Sequence, residues 1–190
     1  VLVVNPYYRS ARSPVIEPGA SFQDAKTRNR VMPYYRALSA ETNVTDAKAY
    51  VAYLDAQNAV DVKRKIGTTG YCMGGPMVMR TAAALPERIG AGGSFHGSGL
   101  VTNDAESPHL LIKNMQADLL IAVAANDDER APNDKEVLRK TAAKYGLKAE
   151  IEVYEGAMHG WCPPDSRVYH EKQAEQAWVR LLHTFENALG

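Results

Sequence analysis

The chain has 190 residues, a length that fits one domain with a full hydrophobic core. Its 22 basic residues balance its 22 acidic residues without a basic stripe, so we expect no nucleic-acid partner. No apolar run is long enough to span a bilayer, and the two cysteines do not make a disulfide framework. With no signal-peptide pattern at its start, the sequence predicts a cytoplasmic protein that does not act at a membrane.

The first part of the chain predicts a strand, a long loop and two helices. Val1–Val4 has the apolar pattern of a buried strand, and residues 6–24 carry loop-forming Pro, Gly and Ser. Helices are expected over Asp24–Leu38 and Asp46–Gln57, with Thr45 as N-cap of the second. Because the sequence opens inside a strand pattern, we expect further strands to precede it.

The rest of the chain alternates strands with helices. Strands are predicted to begin at Lys65 and to span Gly90–Phe95, Leu119–Ala125 and Lys148–Tyr154. Helices are predicted over Met73–Leu85, Ser107–Met115, Asn133–Tyr145 and Arg167–Ala188, the last with a buried stripe of Ala174, Trp178, Leu181, Leu182 and Phe185. This alternation is typical of a mostly parallel sheet in an α/β fold, formed by one domain over residues 1–190.

A sharp strand-to-helix turn is predicted at Gly70-Tyr71-Cys72-Met73-Gly74-Gly75. The pattern G-x-C-x-G-G is that of a nucleophile elbow with Cys72 at the position of the usual serine. Glycines two residues before and after the nucleophile, Gly70 and Gly74, are expected to let the strand and the helix approach. The helix N-terminus favours the thiolate of Cys72, and the backbone N–H of Met73 is the expected oxyanion donor. The alternative is a glycine-rich packing turn around a structural cysteine.

Two further reactive groups follow later strands. Asp127 or Asp128 comes after the third of these strands and His159 after the fourth, so the chain order is nucleophile, acid, base, as in α/β hydrolases. In a parallel sheet such residues meet at the carboxyl edge. We therefore predict a triad of Cys72, Asp127 and His159, preferring Asp127 to Asp128 because it lies nearer the strand end. Separately, the aspartates are equally consistent with a solvated turn and His159 with a surface loop.

Other histidines and the second cysteine are assigned lesser roles. His96 follows a strand and is expected to line the pocket, but it precedes the acid in the chain and is not taken as the base. Cys162 lies three residues after His159 and is expected to be an inert loop thiol. The alternative function is a thiol redox protein in which Cys72 is the activated cysteine and Cys162 the resolving one. A binding protein that keeps the fold without catalysis is a third possibility, against which the intact Cys, Asp and His argue.

Four segments together resemble the dienelactone hydrolase family, the carboxymethylenebutenolidases and their relatives. They are the elbow Gly70–Gly75, the strand end Ser94–Gly97, the acid turn Ala125–Asp127 and the loop Glu155–Trp161. The resemblance implies a three-layer α/β/α hydrolase fold and hydrolysis of a lactone or small carboxylic ester through a Cys-His-Asp triad. It implies a small-molecule substrate, no metal and no cofactor.

The chain departs from that family in two places. Strands that precede Val1 in the family, and the loop that supplies its second oxyanion donor, have no counterpart, so the fold is expected to be N-terminally incomplete. Dienelactone-type members hold the substrate carboxylate with arginines, one shortly after the catalytic histidine, whereas no arginine follows His159 before Arg167. Arg28 or Arg30 is the remaining candidate, and a surface salt bridge is the alternative use of either.

Overall fold

The computed structural model describes all 190 residues, which form two compact units, Val1–Val60 and Asp61–Gly190. The first unit consists of an irregular segment and two helices, α1 over Ala25–Arg36 and α2 over Ala40–Asp55. The single domain over residues 1–190 that the sequence predicts stays a prediction.

A buried carboxylate anchors the irregular segment of the first unit. Asp46 on α2 is 5% exposed and accepts a hydrogen bond from the hydroxyl of Tyr8 at 2.8 Å. The guanidinium of Arg9 pairs with the same carboxylate. A buried charge is tolerated when it is paired and hydrogen-bonded, so these contacts fix the turn around residues 5–11 on α2.

Two predictions for the first unit are wrong. Val1–Val4 forms no strand, because a strand is held by ladder hydrogen bonds and no strand pairs with these residues. Helix α2 begins at Ala40, well before Thr45, because Ser39 caps it. The side chain of Ser39 accepts from the backbone N–H of Thr42 at 3.0 Å, and the Thr42 hydroxyl accepts from the backbone N–H of Ser39 at 2.9 Å. This reciprocal pair satisfies two backbone donors at the helix start.

The second unit is a parallel sheet with helices between its strands. Its strands are β1 (Ile66–Tyr71), β2 (Ile89–Phe95), β3 (Asp118–Ala124) and β4 (Ala149–Tyr154), paired in the order β1-β2-β3-β4. Its helices are α3 (Gly74–Ala84), α4 (Ala125–Arg130), α5 (Asp134–Tyr145) and α6 (Glu171–Leu189), with a 3₁₀ helix over Pro108–Asn114. The predicted parallel α/β architecture is confirmed. No helix of the chain combines the length and apolar character needed to cross a bilayer.

Two neighbouring glycines of β2 locate the helical layers. A Cβ on Gly92 would lie 2.9 Å from Val78 of α3, and one on Gly93 would lie 2.5 Å from Leu181 of α6. Successive strand residues face opposite sides of a sheet, so α3 and α6 cover opposite faces. The sheet is therefore the middle of three layers, and every residue of β2 is buried between them.

Helix α6 differs from its prediction in its start and its buried face. It begins at Glu171, preceded by His170, whose side chain accepts from the backbone N–H of Gln173 at 3.4 Å. Trp178 and Leu182, predicted to be buried, are 49% and 42% exposed. Leu181 is buried as predicted, and Ala174 and Phe185 are partly buried against the core. Ala177 and Thr184 are buried in the places expected for Trp178 and Leu182.

Candidate active site

Three chemically reactive side chains lie just beyond the carboxyl ends of three strands. Cys72 follows β1, Asp127 lies in the first turn of α4 after β3, and His159 lies in the loop after β4. Because the strands are parallel, their carboxyl ends share one edge of the sheet. The structure brings the three side chains together there, with His159 between the other two.

Cys72 occupies a strained turn between β1 and α3. Its φ is 52°, in the left-handed region that residues other than glycine seldom adopt, and its side chain is exposed. The backbone N–H of Gly75 donates to the carbonyl of Cys72 at 3.1 Å, so the chain enters the helix at once. Met73 precedes the first residue of α3, where its backbone already has a helical φ of −58°.

Gly70 allows β1 to approach the start of α3, and Gly75 allows α3 to approach the end of β2. A Cβ on Gly70 would lie 2.4 Å from the carbonyl oxygen of Gly74, and one on Gly75 would lie 2.5 Å from Oγ of Ser94. Both distances are too short for a side chain. A Cβ on Gly74 would meet nothing within 4 Å, so the expectation that this glycine is needed for close packing is wrong.

His159 hydrogen-bonds both of its predicted partners. Its Nδ1 lies 2.7 Å from Oδ2 of Asp127, and its ring also hydrogen-bonds Cys72. The bond to Asp127, and then the bond to Cys72, raise the pKa of His159 to about 9, against the opposing effect of burial. The imidazolium is thus the favoured form of His159 at neutral pH.

The neighbouring aspartate has a different partner. Both carboxylate oxygens of Asp128 lie 2.7 Å from Nζ of Lys135, which forms a salt bridge between α4 and α5. Of the two aspartates left open by the sequence, Asp127 is therefore the one bonded to the histidine.

The loop that carries His159 is attached to the end of β3. The backbone N–H of His159 donates to the side-chain oxygen of Asn126 at 2.8 Å, and the backbone N–H of Ala125 donates to the carbonyl of Ala157 at 2.8 Å. Trp161 anchors the other side of the loop, fully buried and stacked on Tyr154 at 5.4 Å between ring centroids. Sequence reasoning missed Asn126, whose only signal is its place immediately before the acid.

His96 reaches the centre from the end of β2. It is 3% exposed, and its ring centroid lies 4.7 Å from that of His159. Burial, and then the charge of His159, lower the pKa of His96 to about 4, so this ring is neutral where His159 is charged. The sequence led us to expect that His96 lines the pocket, but its side chain is enclosed and packs against the ring of His159.

Cys162 lacks the properties of a resolving cysteine. Both cysteines are unpaired, and burial raises the pKa of Cys162 to about 12. Thiol–disulfide exchange requires a thiolate, which Cys162 does not form near neutral pH. The burial of Cys162 thus argues against the redox alternative.

The two arginines considered for a substrate carboxylate have protein partners in the first unit. Arg28 donates to the backbone carbonyl of Phe22 at 3.4 Å, and Arg30 lies 3.4 Å from the carboxylate of Glu17. Arg30 thus forms the surface salt bridge that the sequence left open, whereas Arg28 bonds backbone carbonyls. No group of three or more His, Cys, Asp or Glu side chains is arranged to hold a metal ion.

Sequence comparison matches residues 1–189 to the model of the dienelactone hydrolase family. Two similar curated proteins both carry the name "Putative carboxymethylenebutenolidase". The one from Aquifex aeolicus is 29% identical over 128 residues, which cover 66% of this chain and 52% of that protein. The one from Synechocystis is 29% identical over 150 residues, which cover 77% of this chain and 59% of that protein. The chain thus spans about half the length of the curated relatives it matches.

Structural comparison gives the same fold. A crystal structure from Klebsiella pneumoniae, named "Putative Dienelactone Hydrolase", superposes with a TM-score of 0.77 at 23% identity. The match covers 95% of this chain and 72% of that one. At this level of identity the likeness establishes the α/β hydrolase fold.

Proposed function

The chain belongs to the dienelactone hydrolase family, and from that premise we propose that it hydrolyses a lactone or small carboxylic ester through Cys72, His159 and Asp127. The observation that carries the proposal is the pair of hydrogen bonds from His159, one to Asp127 and one to Cys72. A nucleophile bonded to a base that is itself oriented by a third group is the signature of covalent acyl transfer.

The first half-reaction forms an acyl-enzyme. Sγ of Cys72, as thiolate, attacks the ester carbonyl carbon, and the carbonyl π electrons move onto oxygen. The backbone N–H of Met73, at the N-terminus of α3, donates to that oxyanion. Collapse of the tetrahedral intermediate breaks the carbon–oxygen bond of the ester, and His159 delivers its proton to the departing alkoxide. A thioester on Cys72 and a free alcohol result; for a lactone the alcohol stays attached to the acyl chain.

The second half-reaction consumes water. Neutral His159 removes a proton from a water molecule, whose oxygen attacks the thioester carbon, and the Cys72 thiolate departs. The carboxylate of Asp127 holds the imidazole in one tautomer through both steps and stabilises the imidazolium that forms. The cycle returns Cys72 and His159 to their starting states and releases a carboxylic acid.

The proposal names the substrate only as a class, lactones and small carboxylic esters. The family's name supports a lactone, but the arginines that would hold the carboxylate of a dienelactone are engaged elsewhere or have no counterpart after His159. The two unpaired thiols fit a reducing compartment, and we keep the cytoplasm as the proposed location.

The test is turnover by the intact protein of p-nitrophenyl esters and simple lactones, with two cysteine variants alongside. We expect Cys72→Ala to abolish turnover and Cys162→Ala to retain it, because only Cys72 bonds the base. Equal turnover by Cys72→Ala and the wild type, or no turnover of any ester or lactone by the folded wild type, would overturn the proposal.

A further inference from the structure

His96 and Cys72 share a rare backbone geometry at the ends of two adjacent strands. They are the two non-glycine residues of the chain with positive φ, 40° for His96 and 52° for Cys72. Each directly follows a strand, and the residues before them, Tyr71 and Phe95, are paired in the register of β1 and β2. Left-handed backbone at such residues costs free energy and persists where the surroundings enforce it, most often at functional sites.

A hydrogen bond joins the two residues. The backbone N–H of Cys72 lies 3.2 Å from Nδ1 of His96 and 3.0 Å from the carbonyl of Phe95, so it donates to both. Because Nδ1 accepts this bond, the proton of the neutral ring is on Nε2. The backbone N–H of His96 donates to the carbonyl of Ala122 at 2.8 Å, which ties the residue to β3 as well.

The ring of His96 also supports the histidine of the proposed triad. It contacts the ring of His159 edge to face at 4.7 Å and the buried ring of Trp161 at 5.1 Å. His159 is therefore fixed through Nδ1 by Asp127 and through its ring by His96. One buried side chain thus touches both the turn that carries the nucleophile and the base.

We propose that His96 is a positioning residue for the Cys72–His159 pair, acting through Nδ1 on the backbone of Cys72 and through its ring on His159. The proposal rests on the proposed function for its effect on rate, but its effect on His159 is independent of turnover.

The neutral state of the His96 ring fits this role. Burial is the larger cause of its lowered pKa and the charge of His159 the second, while the charge of Asp127 acts in the opposite direction. A neutral ring fills the space beside an imidazolium without repelling it, which a protonated His96 would not do. Its Nε2 is buried without a hydrogen-bond partner, and its Nδ1 is occupied, so His96 is not itself poised to take a proton from a substrate.

Two substitutions separate the two contacts. His96→Asn keeps an acceptor on the atom bonded to Cγ, where Nδ1 is, and asparagine tolerates the left-handed backbone. It removes the part of the ring that reaches His159. His96→Phe keeps the ring and removes the acceptor. Leu138→Ala is the matched control, since Leu138 is 2% exposed on α5 and its loss destabilises the fold away from the site.

The measurements are kcat and KM for a p-nitrophenyl ester, the thermal midpoint, and the NMR titration of the His159 ring. We expect kcat of both His96 variants to fall about tenfold or more, because a misplacement of about 1 Å in an active site can cost about a hundredfold in rate. KM should change by no more than about twofold. The His159 titration midpoint should fall from about 9 in His96→Asn, which loses the ring contact, and fall less in His96→Phe, which keeps the ring and acts through Cys72. Leu138→Ala should lower the thermal midpoint and leave kcat and the titration unchanged.

The proposal is overturned if either His96 variant keeps the kcat and the His159 titration of the wild type, or if Leu138→Ala reproduces their losses. Failure of the proposed function gives a different result. In that case Cys72→Ala matches the wild type in turnover, while the His159 titration still shows whether His96 positions that ring.

Discussion

Nδ1 of His159 lies 2.7 Å from Oδ2 of Asp127, although 32 residues separate them in the chain. The contact exists because β3 and β4 are adjacent parallel strands whose following segments leave the sheet at the same edge. With Nδ1 bonded to Asp127, the remaining nitrogen, Nε2, is left for Cys72. This is the orientation of the imidazole that the proposed ester hydrolysis requires for its proton transfers.

The two aspartates of α4 should differ sharply in their effect on turnover. Asp127→Asn should lower kcat by about a hundredfold or more, because the amide no longer fixes the tautomer or stabilises the imidazolium. Asp128→Asn removes one partner of the Lys135 salt bridge and should leave kcat within about twofold, because a partly exposed ion pair contributes little. Steady-state kinetics of both variants on one p-nitrophenyl ester provide the measurement. Comparable losses in the two would contradict the assignment of Asp127.

Stability should fall as pH rises through the titration of His159. Its pKa is raised from 6.5 to about 9 in the folded protein, so its contribution is fully present below pH 6.5 and is lost as pH approaches and passes about 9. The bond to Asp127 is the largest cause of the raised pKa, so the Asp127→Asn variant should lose less free energy of unfolding than the wild type between pH 6.5 and about 9. Urea unfolding of both proteins at several pH values measures the difference. Identical pH dependence in wild type and variant would refute this account.

The hydrogen bond from the His159 backbone to Asn126 should contribute to activity without involving the reacting atoms. Asn126→Ala leaves that N–H without its acceptor and frees the loop, so kcat should fall about tenfold. Asn126→Asp keeps an oxygen in the same place and should lose less. Kinetics of the two variants under identical conditions decide the point, and equal activity of Asn126→Ala and wild type would show that the loop is held by other contacts.

The elbow glycines should differ in their tolerance of a methyl group. Gly70→Ala places Cβ against the backbone of Gly74 and should destabilise the protein by about 1–3 kcal/mol or prevent folding. Gly74→Ala meets open space at the start of α3, where alanine is the better helix former, and should be neutral or stabilising by up to about 1 kcal/mol. Chemical denaturation measures both, and a destabilised Gly74→Ala beside a stable Gly70→Ala would contradict the turn geometry.

Local sequence patterns made the strands of the sheet predictable: β3 is a short apolar run, and β4 alternates apolar with polar residues. β2 and β3, for example, begin and end within one residue of their predictions. The pairing of Cys72, Asp127 and His159 followed from their positions after strands in a parallel sheet. What the sequence did not reveal depends on long-range contacts. Nearness to the strand end was the only reason to prefer Asp127 to Asp128, and the sequence did not reveal that His159 bonds Asp127 while Lys135 pairs with Asp128. The role proposed for His96 rests on the backbone N–H of Cys72 in the turn after β1. The start of α2 was missed because Ser39 and Thr45 are both good N-cap residues, and local propensity alone does not show which of them caps the helix.

The most direct test of the central claim is the mass of the intact protein during turnover of p-nitrophenyl acetate, quenched in acid on the millisecond timescale. The account predicts one added acetyl group, located on Cys72 by peptide mapping, which decays as the ester is exhausted and is absent in Cys72→Ala. Turnover without an adduct on Cys72, or an acetyl group on another residue that is required for turnover, would contradict the proposal that Cys72 is the nucleophile.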